Sequence, residues 1–367
     1  MGTLLESDSE KNVLLQSHFS KQNQTLMFHF DSDYMAGAHP EIMRRLMDTN
    51  IEHTVGYGFD EYSDEARRRI REACAAPNAL VQFLVGGTQT NATVIDALLQ
   101  RHEGVLAADT GHINVHESGA VEHSGHKVLA LPAHDGKVAA ADVANFLHTF
   151  YSDDTYEHMV APGMLYITQP TEFGTLYSLA ELEELSSLCH KYNIPLYLDG
   201  ARLAYALASP AADFTLADIA RLCDVFYIGG TKCGALFGEA VVASDPKYLP
   251  HFFPLVKQHG ALLAKGRLQG IQFATLFTDN LYVDIARRAV NLALRLRKAF
   301  EAKGHCAAID SPTNQQFFIL PNEVIDRLLQ HITFEYWGPR GDKESTVRFV
   351  TSWATEEEAV RAVEELL

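Results

Sequence analysis

Cysteine is scarce in this chain, and the five present (Cys74, Cys189, Cys223, Cys233 and Cys306) are widely spaced, odd in number and without a CxxC pair. That excludes a disulfide framework and a zinc site, and points to reduced thiols in the cytosol. Positive charge is also short. Lys and Arg number 30 against 47 Asp and Glu, a formal net charge of −17. With no local basic patch to offset that average, neither nucleic acid nor an anionic membrane surface is an expected partner. No apolar run approaches the ~20 residues of a membrane span. The opening MGTLLESDSEKNVLL is acidic where a signal peptide is basic and then apolar. The 17 histidines are scattered, which suits surface and satisfied core positions and gives no metal site.

What remains is a globular composition: 47% apolar and 21% charged residues, with 24 Gly and 13 Pro, exclude a disordered or collagen-like chain. The 367 residues suit one large α/β core with an appended piece. From about Pro40 to Ala243, amphipathic stretches near 40–50, 60–75, 88–101, 140–150, 179–191 and 213–221 alternate with apolar runs. These runs are LVQFLVG (80–86), GVLAAD (104–109), HKVLAL (126–131), MLYIT (164–168), IPLYLDG (194–200) and VFYIGG (225–230). The alternation predicts βαβ units and a mostly parallel sheet with helices on both faces. After Pro254 the pattern changes to a long helix near 279–303, strands near 315–320, 332–337 and 345–350, and a closing helix near 355–366. The expected division is an N-terminal extension (1–26), a large α/β domain (27–253), and a connecting helix with a small α+β domain (254–367).

Ligands of open parallel sheets gather at the carboxyl ends of strands, so the polar residues that follow the apolar runs are the candidates. GGTQTN (86–91) follows a strand and opens a helix, where small residues and free N–H groups can hold a phosphate; it lacks the spacing of a dinucleotide or Walker loop, and such a segment also occurs as a plain turn. Asp199 in YLDGARLAYA (197–206) ends a buried strand. It is either half of an internal ion pair, with Arg202 the nearest candidate, or a counter-ion for a ligand. Lys232 in VFYIGGTKCGAL (225–236) is either an exposed loop lysine or an amine that forms an imine with a carbonyl. Together the three match what pyridoxal phosphate needs: a phosphate cradle, a carboxylate at the pyridine nitrogen and a lysine for the aldehyde.

Over residues 27–353 the sequence resembles the threonine aldolase and aromatic amino acid β-eliminating lyase family of fold-type I pyridoxal phosphate enzymes. The likeness is carried by FDSDYMAG (30–37), VGYGFDEYS (55–63), GGTQTN, ADTGHINVHESGA (108–120), DGARL, the TK of GGTKCGA, GRLQG (266–270) and VRFVTSW (347–353). It implies a seven-stranded, mostly parallel sheet flanked by helices with a small C-terminal α+β domain. Gly87, Thr88 and Gln89 are then the phosphate cradle, and Arg267 a further phosphate ligand. His112 stacks on the pyridine ring with Glu117 close behind it, and His116 is a near neighbour open to confusion with it. Asp199 takes the pyridine nitrogen, Arg202 the cofactor or the substrate carboxylate, and Thr231 and Lys232 the aldehyde end. Ser32, Tyr57 and Arg348 attend the substrate, Arg348 as the clamp of its α-carboxylate and Tyr57 near the cofactor of its own or the partner subunit. Asp33 matches the family pattern, whereas Asp31 stands where Arg is usual.

One departure lies in TQPTEFGTLYS (168–178), where Thr171 falls at the position that usually supplies a second histidine. A threonine can hydrogen-bond a substrate hydroxyl but is no base near neutral pH. The reaction implied is cleavage of L-threonine or L-allo-threonine to glycine and acetaldehyde, with His112 or a bound water taking the β-hydroxyl proton. β-Elimination or transamination on the same scaffold, and a non-catalytic amino-acid-binding protein, are the competing readings. The resemblance further implies homodimers or homotetramers with active sites shared across the interface.

Overall fold

The computed structural model describes residues 27–367; the expected extension 1–26 lies outside them. The strands are β1 (Phe28–His29), β2 (Leu80–Leu84), β3 (Glu103–Ala108), β4 (Lys127–Leu131), β5 (Ala161–Thr168), β6 (Leu196–Asp199), β7 (Val225–Gly229), β8 (Glu239–Ala243), β9 (Ala307–Ile309), β10 (Gln315–Pro321), β11 (Ile332–Thr333), β12 (Glu335–Tyr336) and β13 (Glu344–Val350). Seven of them form one sheet in the order β2-β8-β7-β6-β5-β3-β4. Pairings among β7, β6, β5, β3 and β4 are parallel, and β8 alone runs against its neighbours β2 and β7. Six strands coincide with the six apolar runs of the sequence. The seventh, β8, is the short EAVVA segment, which periodicity does not single out.

Parallel strands need helical crossovers, and both faces of the sheet are accordingly covered. β6, β7 and β8 are buried at every position, as a sheet sandwiched between helices requires. The crossover helices start where local chemistry directs. Ser178 and Glu181 form a reciprocal capping box at the helix Leu179–Tyr192, as do Thr215 and Asp218 at Leu216–Leu222. One apolar cluster, including Leu165, Leu198, Phe226 and Phe273, fills one side of the sheet; another, including Val105, Tyr166, Tyr197 and Tyr227, fills the other.

The C-terminal part forms a four-stranded antiparallel sheet, β12-β13-β10-β9. Its apolar face, with Phe318, Phe349 and Phe334, packs around Phe300 of the long helix Leu281–Ala302 and Phe30 of the N-terminal segment. β1 pairs with β11, so the start of the described chain is tied to the C-terminal part.

The turn after β6 has no room for a side chain. A Cβ on Gly200 would lie 2.0 Å from the carbonyl oxygen of Tyr227 on the neighbouring strand. Gly200→Ala should therefore push β6 from β7 and destabilise the protein by about 1–3 kcal/mol, the usual range for overpacking; urea unfolding measures the loss.

Candidate active site

Parallel topology brings the ends of β3, β5, β6 and β7 to one edge of the sheet. The antiparallel β8 places its first residue, Glu239, opposite Gly229 at the same edge. Two adjoining cavities open there. The inner one, of about 170 Å³, is lined by Gly87, Thr88, His112, Asp199, Thr231 and Lys232 among others. The outer one, of about 360 Å³, is walled by Tyr34, His116, Glu335, Trp337 and Arg348. His112, Glu172, Arg202 and Lys232 border both.

Asp199 at the end of β6 is buried and accepts from Asn91 Nδ2 (2.9 Å), the Tyr166 hydroxyl (2.7 Å) and the Ala201 backbone N–H (2.9 Å). These donors offset the cost of taking a carboxylate out of water. Asn91 also donates to Glu117 Oε1 (2.8 Å) and accepts from the Tyr197 hydroxyl (2.8 Å). The same Glu117 oxygen meets His112 Nδ1 at 2.7 Å, fixing one edge of the imidazole. Burial, reinforced by Asp199, pushes the Tyr166 phenol well above its ordinary range, so it serves as a donor.

Arg202 is not the partner of Asp199. It grips Asp33 through Nε (2.6 Å) and Nη2 (3.0 Å), and Asn314 Nδ2 adds a third contact to that carboxylate at 3.0 Å. Burial alone would raise the Asp33 carboxyl; Arg202, Lys232 and the two side-chain donors outweigh it and hold it below the usual range. Lys232 follows β7 beside Thr231, whose hydroxyl donates to Glu239 Oε1 at 2.9 Å. Burial and the nearby Arg202 hold the Lys232 ammonium below its ordinary range, against the pull of Asp33, Asp199 and Glu239. An amine that loses its proton readily suits attack on a carbonyl.

Arg348, on β13, is buried and donates to Gln315 Oε1 (3.0 Å) and to Glu335; its guanidinium lies 5.1 Å from the Trp337 ring centre. Its Nε is buried and has no hydrogen-bond partner among the described residues.

Five expected residues are not at this cavity. Gln89 lies two positions beyond Gly87, about 200° around the helix. It turns back to the Val85 N–H (3.4 Å) and the His259 carbonyl (3.4 Å). Thr171 is buried in its own loop, 2.6 Å from the Thr175 hydroxyl, while its neighbours Pro170 and Glu172 face the cavity. Ser32 is buried next to Asp33, and Asp33 is the side chain that reaches inward. Arg267 spends its guanidinium on the carbonyls of Asn50 and Glu52 (3.1 and 3.2 Å), and Tyr57 is 41% exposed beneath Lys257. Both stand on the outer surface of this chain.

Three residues that sequence reading passed over belong to this arrangement: Glu239 and Glu172 line the inner cavity, and Asn91 lies behind it on Asp199 and Glu117. Asn91 ends the GGTQTN segment and, four positions after Gly87, shares its helical face; that periodicity was the available signal. Glu239 is an acid opening an apolar strand, pushed up to about 8 by burial. Glu172 carried no sequence signal. Among the described residues no cluster of three or more potential metal ligands occurs, and no helix is long and apolar enough to cross a membrane.

The residues present fit a phosphorylated aldehyde of the pyridoxal type. Gly87 and Thr88 open the helix Gly87–Leu98, whose N-cap, Gly86, makes no side-chain capping bond, so its first N–H groups are available to an anion. A Cβ on Gly87 would stand 3.2 Å from the Tyr227 hydroxyl, narrowing the space that the glycine leaves. Thr90 Oγ1, one turn in, is buried without a partner.

Fold and strand-end site together define the class of fold-type I pyridoxal phosphate enzymes. The aspartate aminotransferase of Thermus thermophilus shares the fold at 15% identity, with a TM-score of 0.67 over 99% of this chain and 96% of its own. More specifically, the sequence profile of the Beta-eliminating lyase family matches residues 29–320, and the chain belongs to that family. It is similar to a Leishmania major threonine aldolase of known structure, with 44% identity and a TM-score of 0.89, covering 92% of this chain and 98% of that one. It is also similar to the low specificity L-threonine aldolase of Pseudomonas aeruginosa, 29% identical over 90% of this chain and 94% of the relative.

The buried Asp33–Arg202 pair generates a test. Asp33→Asn leaves a buried guanidinium uncompensated and should cost about 3–5 kcal/mol, as breaking buried pairs does; chemical denaturation reads it directly.

Proposed function

We propose that the protein is a pyridoxal phosphate-dependent lyase that cleaves the Cα–Cβ bond of L-threonine or L-allo-threonine, giving glycine and acetaldehyde. The observation that carries the reading is the placement of Lys232 and Asp199, from adjacent strands β7 and β6, in one cavity that adjoins the outer cavity walled by Arg348. The relatives named threonine aldolase support it over almost the whole chain.

In this reading Gly87, Thr88 and the helix N-terminus behind them hold the phosphate, Asp199 the pyridine nitrogen, and Lys232 the aldehyde carbon, with His112 against the ring. When bound, the cofactor supplies an electron sink for a bond at Cα. The chain's residues do the rest. Arg348 binds the α-carboxylate, because Arg202 has committed Nε and Nη2 to Asp33. A fixed carboxylate orients the remaining Cα bonds, and orientation selects which bond breaks. The Asn91–Glu117 link holds the His112 ring against rotation. Lys232, with its lowered proton affinity, carries a proton to or from Cα.

The natural assembly in this reading is at least a homodimer. Among the described residues, nine of the 17 large apolar side chains that stand exposed fall within residues 27–59, among them Met35, Met47, Ile51, Val55 and Phe59. A surface so concentrated marks a contact face. Arg267 and Tyr57 lie with it, where they would complete the cavity of a second copy.

Incubation with L-threonine and with L-allo-threonine should yield equal amounts of glycine and acetaldehyde, and Lys232→Ala should abolish both turnover and the visible absorption of the lysine-bound cofactor. 2-Oxobutanoate and ammonia without glycine would overturn Cα–Cβ cleavage in favour of β-elimination. Light scattering at micromolar concentration should give at least twice the 40.7 kDa of one chain; a monomer would contradict the shared site.

A further inference from the structure

The proposed reaction leaves open which group takes the proton from the substrate's β-oxygen, and Glu172 stands where that group is needed. It borders both cavities, between the cluster that faces the cofactor and the wall that carries Arg348. Its side chain is buried, yet no Lys or Arg pairs with it among the described residues; Oε1 accepts from the His112 backbone N–H (2.9 Å) and Oε2 from the Thr168 hydroxyl (3.2 Å). Each oxygen keeps a lone pair. The other cavity carboxylates are placed differently. Asp199 has three donors, Glu117 is held by Asn91 and His112, and Glu239 lines the inner cavity alone, against Thr231 and Gly230.

Burying an acid with one donor per oxygen and no cation costs stability that packing alone would not maintain, the usual signature of a functional group. Facing it are His112 and His116 from the segment after β3, Asp199 and Arg202 from β6 and its turn, Lys232 after β7, and Glu335 with Arg348 from the C-terminal sheet. The phenols of Tyr166 and Tyr177 lie behind it. Burial first, then Asp199, raises its proton affinity; the backbone donors and His112 oppose them but do not cancel the rise.

We propose that the Glu172 carboxylate is the acid–base residue that exchanges a proton with the β-oxygen of the substrate. The inference rests on the aldolase reading above. In the cleavage direction the O–H proton passes to Glu172 and the C–O bond becomes the carbonyl of the aldehyde. The Cα–Cβ electron pair stays with Cα, which takes a proton from the Lys232 side to become glycine. In the reverse direction Glu172 returns its proton to the nascent alkoxide. His112, tied at Nδ1 to Glu117, acts as the positioning neighbour whose backbone N–H orients the carboxylate.

Glu172→Gln keeps the shape and the acceptor for the His112 N–H but cannot take a proton. Threonine cleavage should fall by at least ~10²-fold, within the range assigned to general acid–base groups. Exchange of the glycine α-proton in D₂O, which needs no β-oxygen, should fall by less than tenfold. The acid limb of the wild-type kcat/KM profile, where Glu172 is protonated, should disappear. Thermal unfolding gives a readout independent of turnover. A carboxyl whose folded-state proton affinity is raised loses stability as pH rises, so the Gln variant should match wild type in acid and exceed its Tm at neutral pH. Exchange that falls in step with cleavage, cleavage that survives within a few-fold, or an unchanged neutral Tm would each overturn the proposal. A wild-type protein that cleaves no β-hydroxy-α-amino acid would instead remove the reading on which it rests.

Discussion

A carboxylate at the end of a buried strand must be surrounded by donors, and much of this site follows from how that requirement is met for Asp199. Tyr166 comes from the neighbouring strand, Ala201 from the turn that follows, and Asn91 from a helix 108 residues earlier in the chain. Asn91 extends the network to Glu117, and Glu117 extends it to His112. Four elements far apart in sequence are thus locked into one hydrogen-bonded unit. A buried hydrogen-bonded network of this kind confines its members to few arrangements.

A second set of charges works against stability. Lys232 is held below its ordinary proton affinity, while Glu172 and Glu239 are raised above theirs, in each case with burial as the first cause. Such groups gather at sites where protons are moved. The charged groups that serve the architecture are treated differently. Arg202 and Asp33 form a bidentate pair with Asn314 beside it, joining the N-terminal segment, the large sheet and the strand leading into the small one. The pair helps align the two halves of the cavity, one carrying Lys232 and the other Arg348.

Much of the fold was legible in the residues. Strands and helices alternate in the chain as they do in the sheet, and the capping pairs Ser178–Glu181 and Thr215–Asp218 mark helix starts that the structure retains. The helices Phe252–Gln258, Arg267–Leu276 and Asn322–Leu328 were less visible. The first and third span only seven residues each, and the second is buried nearly all round, so it has no amphipathic stripe to recognise. In the site, Asp199 and Lys232 were readable because each follows an apolar strand, where a sheet of this kind gathers its ligands. Residue-by-residue likeness pointed to Thr171, whereas its neighbours Pro170 and Glu172 line the cavity, since a shift of one position in a tight loop reverses which side chain faces inward.

The succession of strands and helices along the chain, the phosphate-suited turn, the strand-end carboxylate and the lysine are therefore properties of the sequence itself, because local periodicity and buried polarity are written in neighbouring residues. The reversed direction of β8, which brings Glu239 to the cavity, the claim of Asp33 on Arg202, and the turning of Gln89, Tyr57 and Arg267 away from the cavity were decided only in three dimensions. Those outcomes depend on which distant groups arrive first at hydrogen-bonding distance and which surfaces are left uncovered, and no local pattern encodes either.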